Sequence, residues 1–276
     1  MLPSYLLSLR EGIEAALIIG IVLGALGKIR RTDLKPAVWW GTLSAVAISV
    51  LAAVLLTRFG LEMEGSAEKV YEGITMLLAA AILTWMIFWM SKQARYLKAE
   101  LEDGVNKAAA SAGRQAIFGL AFLAVVREGI ELALFLTASV FATNTLQTII
   151  GAALGLGTAI LLGWTIFATT VRLDMRRFFQ VTGFLLILFA AGLVAHGVHE
   201  FNEAAIIPPV IEHIWNANAF LPAESILGQL MKALFGYNPT PSLTEMLAYG
   251  AYIAAVVTAL RSGQKQTGTV AAQTQA

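Results

Sequence analysis

Two runs of identical sequence carry most of the chain's candidate chemistry: Arg10-Glu11-Gly12-Ile13-Glu14 and Arg127-Glu128-Gly129-Ile130-Glu131. On an α-helix, residues three and four apart share a face, so the Arg and both Glu of each run point roughly the same way. Both runs lie inside long apolar stretches. At about 1.5 Å per residue each sits roughly 10 to 20 Å from its helix ends, too deep for every side chain to reach water. Their charges must therefore be compensated inside a bundle. Fully ionised, two Arg and four Glu leave two uncompensated negative charges, which a multivalent cation or bound protons would neutralise. Carboxylate oxygens suit hard cations, and each Arg can fix a neighbouring carboxylate and limit how tightly an ion is held. The competing reading is a pair of buried salt bridges that only help helices pack. Two copies with surplus acid weigh against it.

Further acids lie elsewhere. Glu68 and Glu72 stand one turn apart, preceded by Glu62 and Glu64, and read either as a first contact for a cation or as an ordinary acidic loop. In HGVHEFNE, the residues His196, His199, Glu200 and Glu203 are spaced three or four apart. They form a patch able to collect metal, or else interfacial histidines at a helix end; the third histidine, His213, follows in a loop. The patch matches no zinc motif closely. The absence of cysteine excludes disulfides, thiolate metal sites and iron-sulfur clusters. Met86 and Met90, with Trp39, Trp40, Trp85, Trp89 and Trp164, read as packing or interfacial belts rather than a cofactor box.

The elements that position these groups belong in a bilayer. Apolar residues make up 58% of the 276, charged residues only 13%, and the mean hydropathy is +0.72, whereas soluble domains carry about 25% charged residues. Seven stretches are long enough to cross roughly 30 Å of hydrocarbon: Pro3 to Gly27, Ala37 to Thr57, Val70 to Met90, Ala116 to Ala142, Thr148 to Val171, Phe178 to His199, and Leu243 to Leu260. The first carries Arg10, Glu11 and Glu14 and lacks a basic start, so it reads as a retained helix rather than a signal peptide. Lys and Arg crowd the first, third and fifth connections and the C-terminal end. Apart from Arg10 and Arg127, only Arg58, Lys69 and Lys232 fall on the other side. The positive-inside rule then places the N-terminus outside and the C-terminus in the cytoplasm.

The connection Ser91 to Gln115 mixes both charges and reads as an extension of the third helix beyond the membrane. The external segment 201–242, broken by five prolines, is expected to hold short helices on the outer face. The tail 262–276 has nothing to bury and reads as disordered.

The two motifs belong to a larger duplication. REGIEAALIIG from Arg10 recurs as REGIELALFLT from Arg127, an offset of 117. At offset 110, Gly41 pairs with Gly151, Gly73 with Gly183, and Ala80 and Ala81 with Ala190 and Ala191. Three spans thus repeat as three (about 1–92 and about 115–200), with the seventh helix at 243–261 outside the repeat. An odd number of spans per copy makes the repeat inverted, and all of 1–261 reads as one transmembrane domain. The fold class expected is an all-α integral membrane protein of seven spans, a 3+3 inverted repeat plus one. Substrate in such architectures lies near the midplane, between the equivalent helices of the two halves.

Paired REGIE motifs in the first and fourth spans resemble the oxidase-dependent iron transporter family, which includes fungal high-affinity iron permeases and bacterial EfeU-type permeases. The resemblance covers nearly the whole chain. It extends to EGI at Glu72 to Ile74, TWMIFWM at Thr84 to Met90, and LFGYNPTPSLTE at Leu234 to Glu245. It implies that Glu11, Glu14, Glu128 and Glu131 bind iron in transit, with Arg10 and Arg127 beside them. It also implies partners that present or oxidise iron: a multicopper oxidase in fungi, or periplasmic proteins including a haem peroxidase in bacteria. The expectation is an iron permease of the bacterial inner membrane, with the lipid bilayer as its medium, iron as cargo rather than cofactor, and no enzyme activity or nucleic-acid partner.

Other functions fit less of the sequence. The same carboxylates could carry protons for another substrate. A membrane haem electron carrier needs histidine pairs on facing helices, whereas these histidines cluster at one end. An iron-oxidising enzyme would lack side chains to carry electrons away.

Overall fold

The computed structural model describes all residues except 62–63, 94–96, 112, 143–144, 169–174, 213, 219, 223–224 and 274–276. The regular structure described is helical: α1 (Leu2–Lys28), a short 3-10 turn (Thr32–Leu34), α2 (Lys35–Leu61), α3 (Ser66–Gln93), α4 (Leu97–Ser111), α5 (Arg114–Ala142), α6 (Thr145–Ala168), α7 (Met175–Glu203), α8 (Ile226–Phe235) and α9 (Leu243–Gln273).

Among the described residues, five segments are long and apolar enough to cross a membrane: Thr32–Phe59, Ser66–Trp89, Thr145–Thr165, Phe178–Glu203 and Leu243–Arg261. Helices α1 and α5 are equally long, at 27 and 29 residues, but each carries the charged motif near its middle. Large apolar side chains face outward on α2 (Trp40, Leu43, Leu55) and on α6 (Leu146, Ile160, Trp164). Contiguous exposed apolar surface of this kind is costly in water and natural against lipid.

Helices α1 and α5 run antiparallel. Ser4, near the start of α1, hydrogen-bonds Ser139, near the end of α5, at 3.0 Å. At their other ends Val22, Ala25 and Leu26 pack in one cluster with Ile117 and Ala121. Helix α2 lies along α5 and α6 along α1, each pair parallel, and α3 packs on α7.

The contacts of one half recur in the other. A Cβ on Gly41 would lie 2.6 Å from the Phe118 carbonyl oxygen and 3.2 Å from the Ala121 Cβ. One on Gly151 would lie 2.4 Å from the Met1 carbonyl oxygen and 3.1 Å from the Ser4 Cβ. Gly12 meets Ala159 in the same way that Gly129 meets Ser49, and Gly73 meets Gly197 where Gly183 meets Ile87. In every case the offsets of 117 and 110 carry one contact onto the other. Small residues set these close approaches because no hydrophobic force pulls helices together in lipid, and van der Waals contact needs short range.

Helix α4 packs against the ends of α1 and α5. Its Val105 and Ala109 sit one turn apart and join Leu34, Ala37, Val38 and the ends of α1 and α5 in a buried cluster, with Leu101 and Ala108 alongside. That apolar stripe needs cover, and the α1 and α5 ends supply it. Lys28 clamps Glu102 at 2.7 Å on the rim.

In the segment between α7 and α9, Ser225 caps α8 by accepting from the Gly228 N–H at 2.9 Å. Gly236 closes that helix in the left-handed region, at φ 65°. The short helix expected in this segment is therefore present. The α9 helix continues through Gln273, past Ser262, where the composition reads as a tail.

Candidate metal centre

Helix geometry places each Arg over the Glu four residues on. Arg10 Nε donates to Glu14 Oε1 at 3.1 Å, and Arg127 Nε donates to Glu131 Oε1 at 3.0 Å. The surroundings differ. The Arg10 side chain is 2% exposed, that of Arg127 40%. Aromatic rings from the third helix of each half lie beside the guanidiniums: Phe179 of α7 at 6.0 Å from Arg10, and Trp89 of α3 at 4.7 Å from Arg127.

The two acids left unpaired by the arginines, Glu11 and Glu128, meet Glu131 between the helices. One carboxylate oxygen from each of Glu11, Glu128 and Glu131 lies within 4.8 Å of the other two. Among the described residues, this is the group of acids and histidines close enough to share a metal ion. Both oxygens of Glu11, one oxygen of Glu131 and one guanidinium nitrogen of Arg10 are buried without a hydrogen-bond partner. Buried polar atoms rarely stay unpaired, because each costs its full desolvation. The converging carboxylates of Glu11, Glu128 and Glu131, with unpartnered oxygens on Glu11 and Glu131, form a donor set for a hard cation. Glu14 stands next to this group, drawn to Arg10 rather than into it.

The acids at the start of α3 and the end of α7 assemble differently. Glu68, Glu72, Glu200 and Glu203 surround Lys69 within electrostatic range, and the Lys69 ammonium pairs with Glu203. His199 bridges two acids, with Nε2 at 3.1 Å from Glu203 and Nδ1 at 2.9 Å from Glu245. His196 instead bonds the Gly192 carbonyl through Nδ1 at 3.0 Å. The structure thus ties three of the four residues of the sequence patch to different partners: Lys69 for Glu203, Glu203 and Glu245 for His199, and the helix backbone for His196. Of the neighbouring acids and histidines, Glu62 and His213 lie outside the described residues.

Spacing along the chain missed one residue of this network. Glu245 is the N3 residue of a capping box, taking the Ser242 N–H at 3.2 Å while its own N–H donates to the Ser242 hydroxyl at 3.2 Å. Asn238 adds a bond to its other oxygen at 2.9 Å. The Ser-x-x-Glu spacing signals the box, but nothing local signals the reach to His199.

Comparison with known proteins shows the family of the chain. Residues 1–263 match the model of the iron permease FTR1 family. The chain belongs to that family. Similar relatives include proteins named ferrous iron permease EfeU from Escherichia coli O6:K15:H31 (strain 536), 33% identical over 92% of each chain, and from Yersinia pestis, 32% identical over 92% of this chain and 90% of the relative. No solved structure matches. With this membership and its run of apolar helices, the protein is a multi-pass protein of the bacterial inner membrane. The named relatives are transporters rather than enzymes.

Proposed function

We propose that the protein imports iron, ferric or ferrous, across the cytoplasmic membrane by passing the ion through the carboxylates of its paired Arg-Glu-x-x-Glu motifs. The observation that carries this reading is the meeting of Glu11 with Glu128 and Glu131, from two antiparallel helices, at a buried point with open acceptor oxygens. Glu14 and Glu131 are the acids tethered by Arg10 and Arg127. The arginines keep the local charge from holding the ion too tightly.

In this reading seven helices span the bilayer, α1, α2, α3, α5, α6, α7 and α9, with the N-terminus outside and the C-terminus inside. The helices α1 to α3 (within 1–92) and α5 to α7 (within 115–200) are inverted copies. The matched glycine contacts and the antiparallel α1 and α5 support the inversion, and the uneven distribution of Lys and Arg supports the orientation. Glu68, Glu72, His196, His199, Glu200 and Glu203 form the outer surface that first meets the ion. Periplasmic proteins that deliver or oxidise iron are the partners expected there.

Radioactive iron uptake into proteoliposomes, with and without reductant and a proton gradient, tests cargo and coupling together. Glu11→Gln and Glu128→Gln are expected to abolish uptake while the protein stays inserted and monodisperse. Undiminished uptake in either variant removes that residue from the path. Uptake of another substrate, unaffected by trivalent metal, would replace the iron reading with proton coupling.

A further inference from the structure

We propose that a column of hydroxyls along α1, where it meets α5 and α6, is the route by which the cation reaches the carboxylates from the side bearing the α1 N-terminus, and that the equivalent column in the other half is an apolar seal. This proposal rests on the carboxylate cluster being the transport site and adds the path into it.

The column is built from Ser4, Ser8 and Ser139. On α1, the spacing of Ser4, Ser8 and Glu11 keeps all three within a sector of about 60°. On α5, Ser139 and Glu128 are eleven residues apart, three turns, and so share a face as well. The Ser4 and Ser139 hydroxyls bond each other across the crossing at 3.0 Å. One turn below, Ser8 is fully buried with its Cβ against Gly155 of α6, and its hydroxyl has no partner. One turn further, both oxygens of Glu11 are buried and open. A polar file with unmet bonding capacity therefore leads from the helix end to the acids. Phe135, fully buried on α5 between the levels of Ser139 and Glu128, packs beside it in the apolar cluster of Leu6, Leu7 and Ala138.

The duplication supplies an internal control. The positions equivalent to Ser4, Ser8 and Ser139 in the other half are Ala121, Val125 and Val22, and all three are buried. None can bond a hydrated ion. That end is also closed from below, where α4 packs Val105 and Ala109 against Val22, Leu26, Ile117 and Ala121. A backbone arrangement shared by the two halves thus carries hydroxyls on one side of the acids and methyl groups on the other. Burying an unpaired hydroxyl costs stability. The difference is accounted for if Ser8 replaces part of the ion's hydration shell on the way in.

The chain contains no cysteine, so single cysteines report accessibility directly. Ser8→Cys and Val125→Cys in oriented vesicles are treated from each face with a cationic, membrane-impermeant thiosulfonate. Ser8→Cys is expected to react from the α1 N-terminal face, more slowly when ferrous or ferric iron is present, and Val125→Cys to stay unreactive from the opposite face. Equal or faster reaction at Val125→Cys, or no reaction at Ser8→Cys from its own face, overturns the proposal.

A second variant separates a path from a packing role. Ser8→Ala removes a hydroxyl that bonds nothing, so thermal stability is expected to hold or rise, with equilibrium iron binding retained, while uptake falls about tenfold. Uptake at the parent rate overturns the proposal. Failure of the underlying site reads differently: Glu11→Gln would then bind and carry iron as the parent does.

Discussion

Glu11 and Glu14 are three residues apart on one helix and both are buried, yet replacing each by Gln should move stability in opposite directions in metal-free protein. Glu14 accepts from Arg10, whose side chain is 2% exposed. Removing its charge strands a buried guanidinium, a change that costs about 3 to 5 kcal/mol when one partner of a buried pair is lost. Glu11 has no such partner and faces Glu128 and Glu131 within 4.8 Å. With an effective dielectric near 20, each ionised neighbour at that range repels it by about 3 kcal/mol. Attraction from Arg10 offsets part of this, so Glu11→Gln should be neutral or stabilising. A loss of 3 to 5 kcal/mol lowers a midpoint on the order of 10 °C in a chain of this size. Thermal unfolding in detergent, followed by tryptophan fluorescence without metal, would show Glu14→Gln well below the parent and Glu11→Gln at or above it. Adding iron should raise the parent midpoint and leave that of Glu11→Gln in place. Equal destabilisation by both variants would refute the assignment of Glu11 as the uncompensated acid.

Other outcomes follow from the same contacts. Gly129→Ala sets a Cβ 2.0 Å from the Ser49 hydroxyl, so it should lower thermal stability by about 1 to 3 kcal/mol, and Ser49→Gly in the same chain should recover most of the loss. Ser242→Ala removes half of the capping box that orients Glu245 toward His199. It should cost about 1 kcal/mol and speed amide exchange in the first turn of α9, with α5 unaffected. A cysteine at Ser225 should be labelled by an impermeant reagent in intact spheroplasts and one at Lys107 should not; the reverse pattern overturns the N-out orientation.

Much of this protein is legible in its sequence because helical periodicity is fixed. Once Arg10 and Glu14 lie in an apolar helix, a spacing of four brings them together, and no tertiary contact is needed to form their bond. The duplication and the bias of Lys and Arg are likewise properties of the string. They already imply a bundle of long helices with charged motifs at membrane depth.

What the string leaves open is rotation and partnership between helices. Four glutamates satisfy the motif equally, but the turn of α1 against α5 decides that Glu11, Glu128 and Glu131 converge while Glu14 stays with Arg10. The patch at His196 to Glu203 shares a face on paper. The partners Lys69 and Glu245, 134 and 46 residues away from Glu203 and His199, decide which of its groups are already engaged. Helix α4 reads as polar and peripheral until the apolar ends of α1 and α5 give its Val105 and Ala109 something to cover. Ser4, Ser8 and Ser139 are ordinary residues of transmembrane helices until the crossing sets them in one file above the acids. In each instance the sequence fixes which groups share a helix face, and packing fixes what that face meets.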